Sequence, residues 1–150
     1  PNLVGIEAVS FNLSHSADVA ALAISRDTRV GVDVEDIREI RSDEIERALS
    51  IAERLELAEA ADALQLETFF RFWTLKEAFM KGTGLGASLP LHDFDVSPAG
   101  PGLLRLKSAP TEPGRWRFDE FVPKPGIRAA LAARTDDRDL VVQWRWADFE

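Results

Sequence analysis

The chain has 150 residues and no cysteine, so the expectation is a single domain over residues 1–150 with one buried core and no disulfide, thiolate nucleophile or cysteine zinc site. Its 18 Lys and Arg against 26 Asp and Glu give a net charge of −8, which argues against a nucleic-acid partner, since such binding draws on clustered Lys and Arg that release counterions. The opening residues lack a basic segment with a long apolar run, and the longest apolar run, Val19 to Ile24, is too short for a membrane span, so a cytoplasmic, non-membrane protein is expected.

Taken in chain order, VSFNLS (9–14) and VAALAIS (19–25) are rich in β-branched and apolar residues and predict two strands joined by a functional turn at HSAD. RVGVDVE (29–35) alternates, with Val30, Val32 and Val34 on one face and Gly31, Asp33 and Glu35 on the other, and predicts a third strand. Residues 42–66 place Ile45, Leu49, Ala52, Leu55 and Leu57 at near-helical spacing behind a Ser42 cap and predict helix. Residues 69–84 predict a further helix. After it, LPLHDFDVS, LLRLK, RWRFDEFV and IRAALAAR read as antiparallel strands separated by the Pro/Gly clusters SPAGPG and APTEPG, and LVVQWRWADFE reads as a closing strand. Strands, then helices, then strands define an α+β fold, with an antiparallel sheet packed on a long helix and shorter helices.

The stretch FFRFWTLKEAFMKGTG, residues 69–84, carries the most information. Phe72, Leu75 and Phe79 form one apolar stripe. On the neighbouring stripe Trp73, Glu77 and Lys81 stand one turn apart, so a carboxylate and an ammonium leave the same face beneath an indole. A phosphate or a metal ion fits such a face. The plain alternative is a solvated Glu–Lys pair, worth ~0.3–0.5 kcal/mol. Gly82, Gly84 and Gly86 are expected to end the helix and to let backbone pass close to a ligand.

Two further clusters bear on the same chemistry. Asp33 and Glu35 stand at i, i+2 on a strand with Cα atoms ~6.5 Å apart, where they can share a cation with Glu77, and hard carboxylate oxygens favour Mg2+. The plain alternative is the solvent face of an edge strand. Ser14, His15 and Ser16 follow FNL, and hydroxyls grouped with an imidazole can hold phosphate oxygens. They suit nucleophilic catalysis poorly, because neighbours on a strand point to opposite faces and no G-x-S-x-G context surrounds them. A capped turn with a satisfied histidine is the alternative there, and His92 reads as structural.

In this order, FNLSHS (11–16), VGVDVE (30–35) and FWTLKEAFMKGTGLGASLPLHDFDV (72–96) closely resemble the 4′-phosphopantetheinyl transferases of the surfactin-synthetase-activating class. The resemblance implies that family's fold and the Mg2+-dependent transfer of the phosphopantetheine arm of coenzyme A to a serine of an acyl or peptidyl carrier protein, releasing adenosine 3′,5′-bisphosphate. It implies Asp33, Glu35 and Glu77 as metal ligands, and Glu77 or water near it as the base for the carrier serine. Lys76 and Lys81 match the motif's lysines, with Lys81 neutralising pyrophosphate. Ser14 and His15 match the position that meets coenzyme A phosphates, and Trp73 is expected to pack the helix. Members of this class consist of two similar halves with the active site between them, and only ten residues precede FNLSHS. Most of the first half is therefore expected to be missing from this chain, as a fragment of a longer transferase, a homo-oligomer or a half needing another chain. Two rivals stand beside this reading: a carrier-docking or structural module without turnover, and an unrelated Mg2+-dependent phosphotransferase or hydrolase.

Overall fold

The computed structural model describes residues 9–26, 28–100, 103–106, 116–134 and 140–147, with backbone alone at 87, 97–100 and 103–106. In chain order it contains β1 (Ser10–Ser16), β2 (Val19–Ser25), β3 (Val30–Asp36), α1 (Ser42–Ala48), α2 (Ile51–Glu59), α3 (Gln65–Thr83), β4 (Val96–Gly100), β5 (Leu103–Leu106), β6 (Trp116–Phe121) and β7 (Ile127–Arg134). The expected α+β architecture holds. β1 and β2 form an antiparallel hairpin, β3, β7 and β6 form an antiparallel sheet in that order, and β4 pairs with β5.

The alternation of β3 is used on both faces. Val30 and Val32 pack with Leu131 and Ala133 of β7 and Ala23 of β2, and Val34 packs with Ile127 and Ala129. The face carrying Gly31, Asp33 and Glu35 meets α3 instead. Gly31 is the residue that permits this: a Cβ there would lie 2.1 Å from the Ala78 carbonyl oxygen and 2.3 Å from the Gly82 nitrogen. Only glycine fits so close an approach of strand and helix.

The free edge of β3 is closed in an unusual way. The β3 amides of Val32, Val34 and Asp36 donate to the side chains of Asn12, Ser14 and Ser16 at 2.9, 3.3 and 2.9 Å. Alternate residues of β1 thus satisfy alternate donors of β3. The reading of Asp33 and Glu35 as the solvent face of an edge strand is therefore corrected: α3 covers that face, with Asp33 2% exposed and Glu35 half-buried.

α3 buries the predicted stripe, with Phe72, Leu75 and Phe79 each 1% exposed. Phe79 sits among the rings of Phe94, Trp116 and Phe118 at 5.4, 5.0 and 6.1 Å. Arg71 of α3 pairs through two bonds with Glu120 of β6, and Arg128 of β7 pairs with Glu67 at the start of α3. The helix ends at Thr83 with Gly84 left-handed at φ 74°, as its glycine predicts. Gly82 is still inside the helix and buried, where it serves helix–strand contact rather than the passage of backbone past a ligand.

Several sequence expectations are corrected. The helical residues expected over 42–66 divide at Leu49–Ser50, because Ser50 caps a second helix: its Oγ accepts from the Glu53 amide, and the Glu53 carboxylate accepts from the Ser50 amide. This reciprocal pair is a capping box. Arg41, not Ser42, occupies the first cap. The hairpin turn is Ala17–Asp18, with His15 and Ser16 still in β1. LPLHDFDVS is a 3-10 turn at Leu91–Asp93 before β4 begins at Val96. Residues 140–147 form no strand. The APTEPG cluster and residues 148–150 lie outside the described residues.

Candidate active site at the crossing of a strand and a helix

β3 delivers Asp33 and Glu35 to the face that α3 covers, and α3 delivers Trp73, Glu77 and Lys81 from one stripe. Lys81 Nζ donates to Asp33 Oδ1 at 2.7 Å and to Ser14 Oγ at 3.0 Å, and Ser14 Oγ donates to Asp33 Oδ1 at 3.1 Å. Asp33 is 2% exposed, and its Oδ2 is buried with no hydrogen-bond partner. A buried carboxylate oxygen without a partner is costly. It is the atom of this cluster that a bound group would satisfy.

The electrostatics agree. Burial pushes the Glu77 carboxyl up to about 7, with the charges of Asp33 and Glu35 adding to the rise and Lys81 opposing it. Burial raises Asp33 as well, against the pull of Lys81. Glu35 is raised by burial and by Asp33, and lowered by its bond from Trp73. Acid groups held above their ordinary range by burial and by each other mark a place that lacks positive charge.

Among the described residues no three acidic or histidine side chains are gathered into a ready metal cage. The expected triad is thus present as neighbours and not as a closed ligand set. The donors nevertheless fit a hard divalent cation. All three are carboxylates, one oxygen is buried and orphaned, and the group is short of positive charge.

Two expected phosphate contacts sit elsewhere. Lys76 is fully buried, and its Nζ donates to Glu53 Oε2 at 2.5 Å and to the Phe94 carbonyl at 2.7 Å, over the Phe94 ring at 4.8 Å. It points away from the Glu77 stripe, as the 100° step between consecutive helical residues requires. Glu53 also accepts from the Val96 amide at 2.8 Å. Lys76 is therefore a core ion pair joining α2, α3 and the start of β4. Ser14 and His15 are separated, with Ser14 in the cluster and His15 exposed on the other face of β1. The Ser14 hydroxyl donates to Asp33 and accepts from Lys81 and from the Val34 amide at 3.3 Å, which fills its one donor and two acceptor positions. It holds the site together and has no valence left for a phosphate. His92 lies on the exposed 3-10 turn, with Nδ1 3.3 Å from the Arg47 carbonyl oxygen.

Sequence reasoning missed Glu53 and gave Trp73 only a packing role. Trp73 does pack on Phe69 at 5.7 Å, but its Nε1 also donates to Glu35 Oε1 at 3.1 Å. The signal was its place on the Glu77–Lys81 stripe. Glu53 carried a weaker one, the Ser-x-x-Glu of a capping box.

Residues 29–136 match the 4′-phosphopantetheinyl transferase superfamily, and the chain belongs to that superfamily. It is 33% identical over 81% of its length to the 4′-phosphopantetheinyl transferase HetI of Nostoc sp., of which it covers 50%. It is 40% identical over 67% of its length to the 4′-phosphopantetheinyl transferase psf-1 of Bacillus pumilus, of which it covers 44%. The chain thus spans about half the length of these curated relatives. In three dimensions it resembles a holo-(acyl-carrier-protein) synthase of Bacillus anthracis in complex with CoA (3′,5′-ADP), with a TM-score of 0.61 and 18% identity, over 71% of this chain and 96% of that one. A likeness at this identity speaks for the fold. Among the described residues no helix is long and apolar enough to cross a membrane.

Proposed function

We propose that this chain is the unit of a 4′-phosphopantetheinyl transferase that carries its acid–base site, moving the phosphopantetheine arm of coenzyme A to a serine of an acyl or peptidyl carrier protein. The observation that carries this is the convergence of Asp33, Glu35, Glu77 and Lys81 at the crossing of β3 and α3, where Lys81 bonds Asp33, and burial and the carboxylates of Asp33 and Glu35 raise the pKa of Glu77. Glu77 takes the proton of the carrier serine hydroxyl as that oxygen bonds to the phosphorus bearing the pantetheine arm. The bond from this phosphorus to the bridging oxygen breaks, and adenosine 3′,5′-bisphosphate leaves. Lys81 turns from Asp33 and Ser14 to the pyrophosphate oxygens, one ammonium donor for each. Ser14 holds Asp33 and β3 in place, and His15 on the outer face of β1 is a candidate contact to coenzyme A phosphate.

Asp33, Glu35 and Glu77 would hold Mg2+, which when bound supplies positive charge to the leaving pyrophosphate. Lys76 has no part in this chemistry, since it is sealed in the core. Residues 1–150 form one unit in this reading, working in the cytoplasm.

The test is intact-mass spectrometry of an apo carrier protein incubated with the chain, coenzyme A and Mg2+, with Glu77→Ala alongside. A gain of one phosphopantetheine from the chain and none from the variant is expected. A second reading follows from the chain spanning about half of its relatives: a unit that docks carriers and needs a complementary half for turnover. Carrier binding with no mass gain in any condition would favour it over the first.

A further inference from the structure

The transfer chemistry leaves the indole of Trp73 without a task, although its position is well defined. Its ring is braced on the buried Phe69 at 5.7 Å and 38°, and its Nε1 donates to Glu35 Oε1 at 3.1 Å across from helix to strand. An indole N–H is a donor only, so it bonds an oxygen and never competes for a cation. With Oε1 held, Oε2 is the oxygen of Glu35 that remains for another partner. Trp73 also stands one turn before Glu77, so a single stretch of α3 supplies a carboxylate of the site and the clamp on its neighbour.

We propose that Trp73 is a positioning residue that fixes the Glu35 carboxylate through Oε1, leaves Oε2 to a divalent cation shared with Asp33 and Glu77, and thereby sets the affinity for that cation. This rests on the reading of the site as Mg2+-dependent. Without the clamp Glu35 regains side-chain freedom, and the like charge of Asp33, two residues away on the same face, pushes it toward solvent. Partners that orient metal ligands typically change affinity by about 10–100-fold.

Calorimetric titration of the 150-residue chain with Mg2+ tests this, using Trp73→Phe, Glu35→Gln and the double variant. Trp73→Phe keeps a ring against Phe69 and removes the donor. The expected result is an about 10-fold weaker Mg2+ dissociation constant for Trp73→Phe, and no further loss when Trp73→Phe is added to Glu35→Gln. In transfer assays, the Mg2+ concentration for half-maximal rate should rise by about the same factor, while the rate at saturating Mg2+ is kept. Unchanged Mg2+ affinity in Trp73→Phe, or a loss that adds fully to that of Glu35→Gln, overturns the proposal while leaving the site reading intact. Absence of Mg2+ binding by the wild-type chain overturns both. Should Trp73→Phe fail to fold, the Nε1–H resonance of Trp73 in the wild-type chain decides. A saturable shift with Mg2+ that is lost in Glu35→Gln supports the proposal, and no shift overturns it.

Discussion

Gly31 of β3 and Gly82 of α3 touch backbone to backbone: a Cβ on Gly31 would stand 2.3 Å from the Gly82 nitrogen and 2.1 Å from the Ala78 carbonyl oxygen. That contact sets the spacing at which Asp33 and Glu35 face Glu77 and Lys81. Gly31→Ala should therefore cost about 3 kcal/mol or more, because the obstacles are main-chain atoms that cannot rotate away. Gly82→Ala meets the Trp116 ring at 2.8 Å and the Gly31 nitrogen at 3.2 Å, looser contacts than those at Gly31, and should cost about 1–2 kcal/mol. Urea unfolding of the two variants checks the order.

The Glu53–Lys76 pair is sealed from water, with the two side chains 3% and 0% exposed. Lys76→Met should cost about 3–5 kcal/mol, because it leaves a buried carboxylate without its cation, whereas Glu53→Leu with Lys76→Met should lose less than Glu53→Leu alone, which leaves the ammonium buried and unpaired. Under conditions where the Lys76→Met protein is folded, its coenzyme A affinity should match wild type. Weaker binding would return Lys76 to the ligand site.

Glu77 titrates near 7 where an unburied glutamate titrates at 4.5. A carboxyl whose folded pKa is raised stabilises the fold in its protonated form. That contribution is complete below about pH 4.5 and is lost as pH rises through about 7. With EDTA present the melting temperature should fall across this window, by the equivalent of about 1–2 kcal/mol once solvent screening of a half-buried group is discounted. Glu77→Gln should flatten the profile. Asp33 and Glu35, also raised, contribute with the same sign.

Ala17 turns the β1–β2 hairpin with φ 50°, a left-handed conformation that costs a residue with a Cβ about 1 kcal/mol. Ala17→Gly should raise the unfolding free energy by a few tenths to about 1 kcal/mol, since relief of strain outweighs the added freedom of the unfolded glycine. Thermal melting is enough to detect it.

The sequence carried the residues of the candidate site but not all of their contacts. Periodicity placed Glu77 and Lys81 on one stripe of α3 and Asp33 with Glu35 on one face of β3, and both faces do meet. The same periodicity, read one residue further, sets Lys76 on a different face from Glu77. Its burial depends on Glu53 arriving from α2, a contact that no local pattern encodes. The alternation rule separated Ser14 from His15, yet which of the two turns inward depends on the amides of β3 needing an acceptor. The break at Leu49–Ser50 was legible as Ser-x-x-Glu but was hidden by the continuous apolar spacing around it. The closing segment has strand-like composition, and β6 occupies the sheet edge without pairing to it.

The side-chain seam between β1 and β3 bears on solubility as well as on the site. An open strand edge is a template on which a second molecule can add its own backbone. Here that template is blocked by Asn12, Ser14 and Ser16, whose oxygens occupy the Val32, Val34 and Asp36 amides one by one. Substituting these three residues with valine would restore a bare, β-prone edge, and the first sign of the change would be aggregation on refolding.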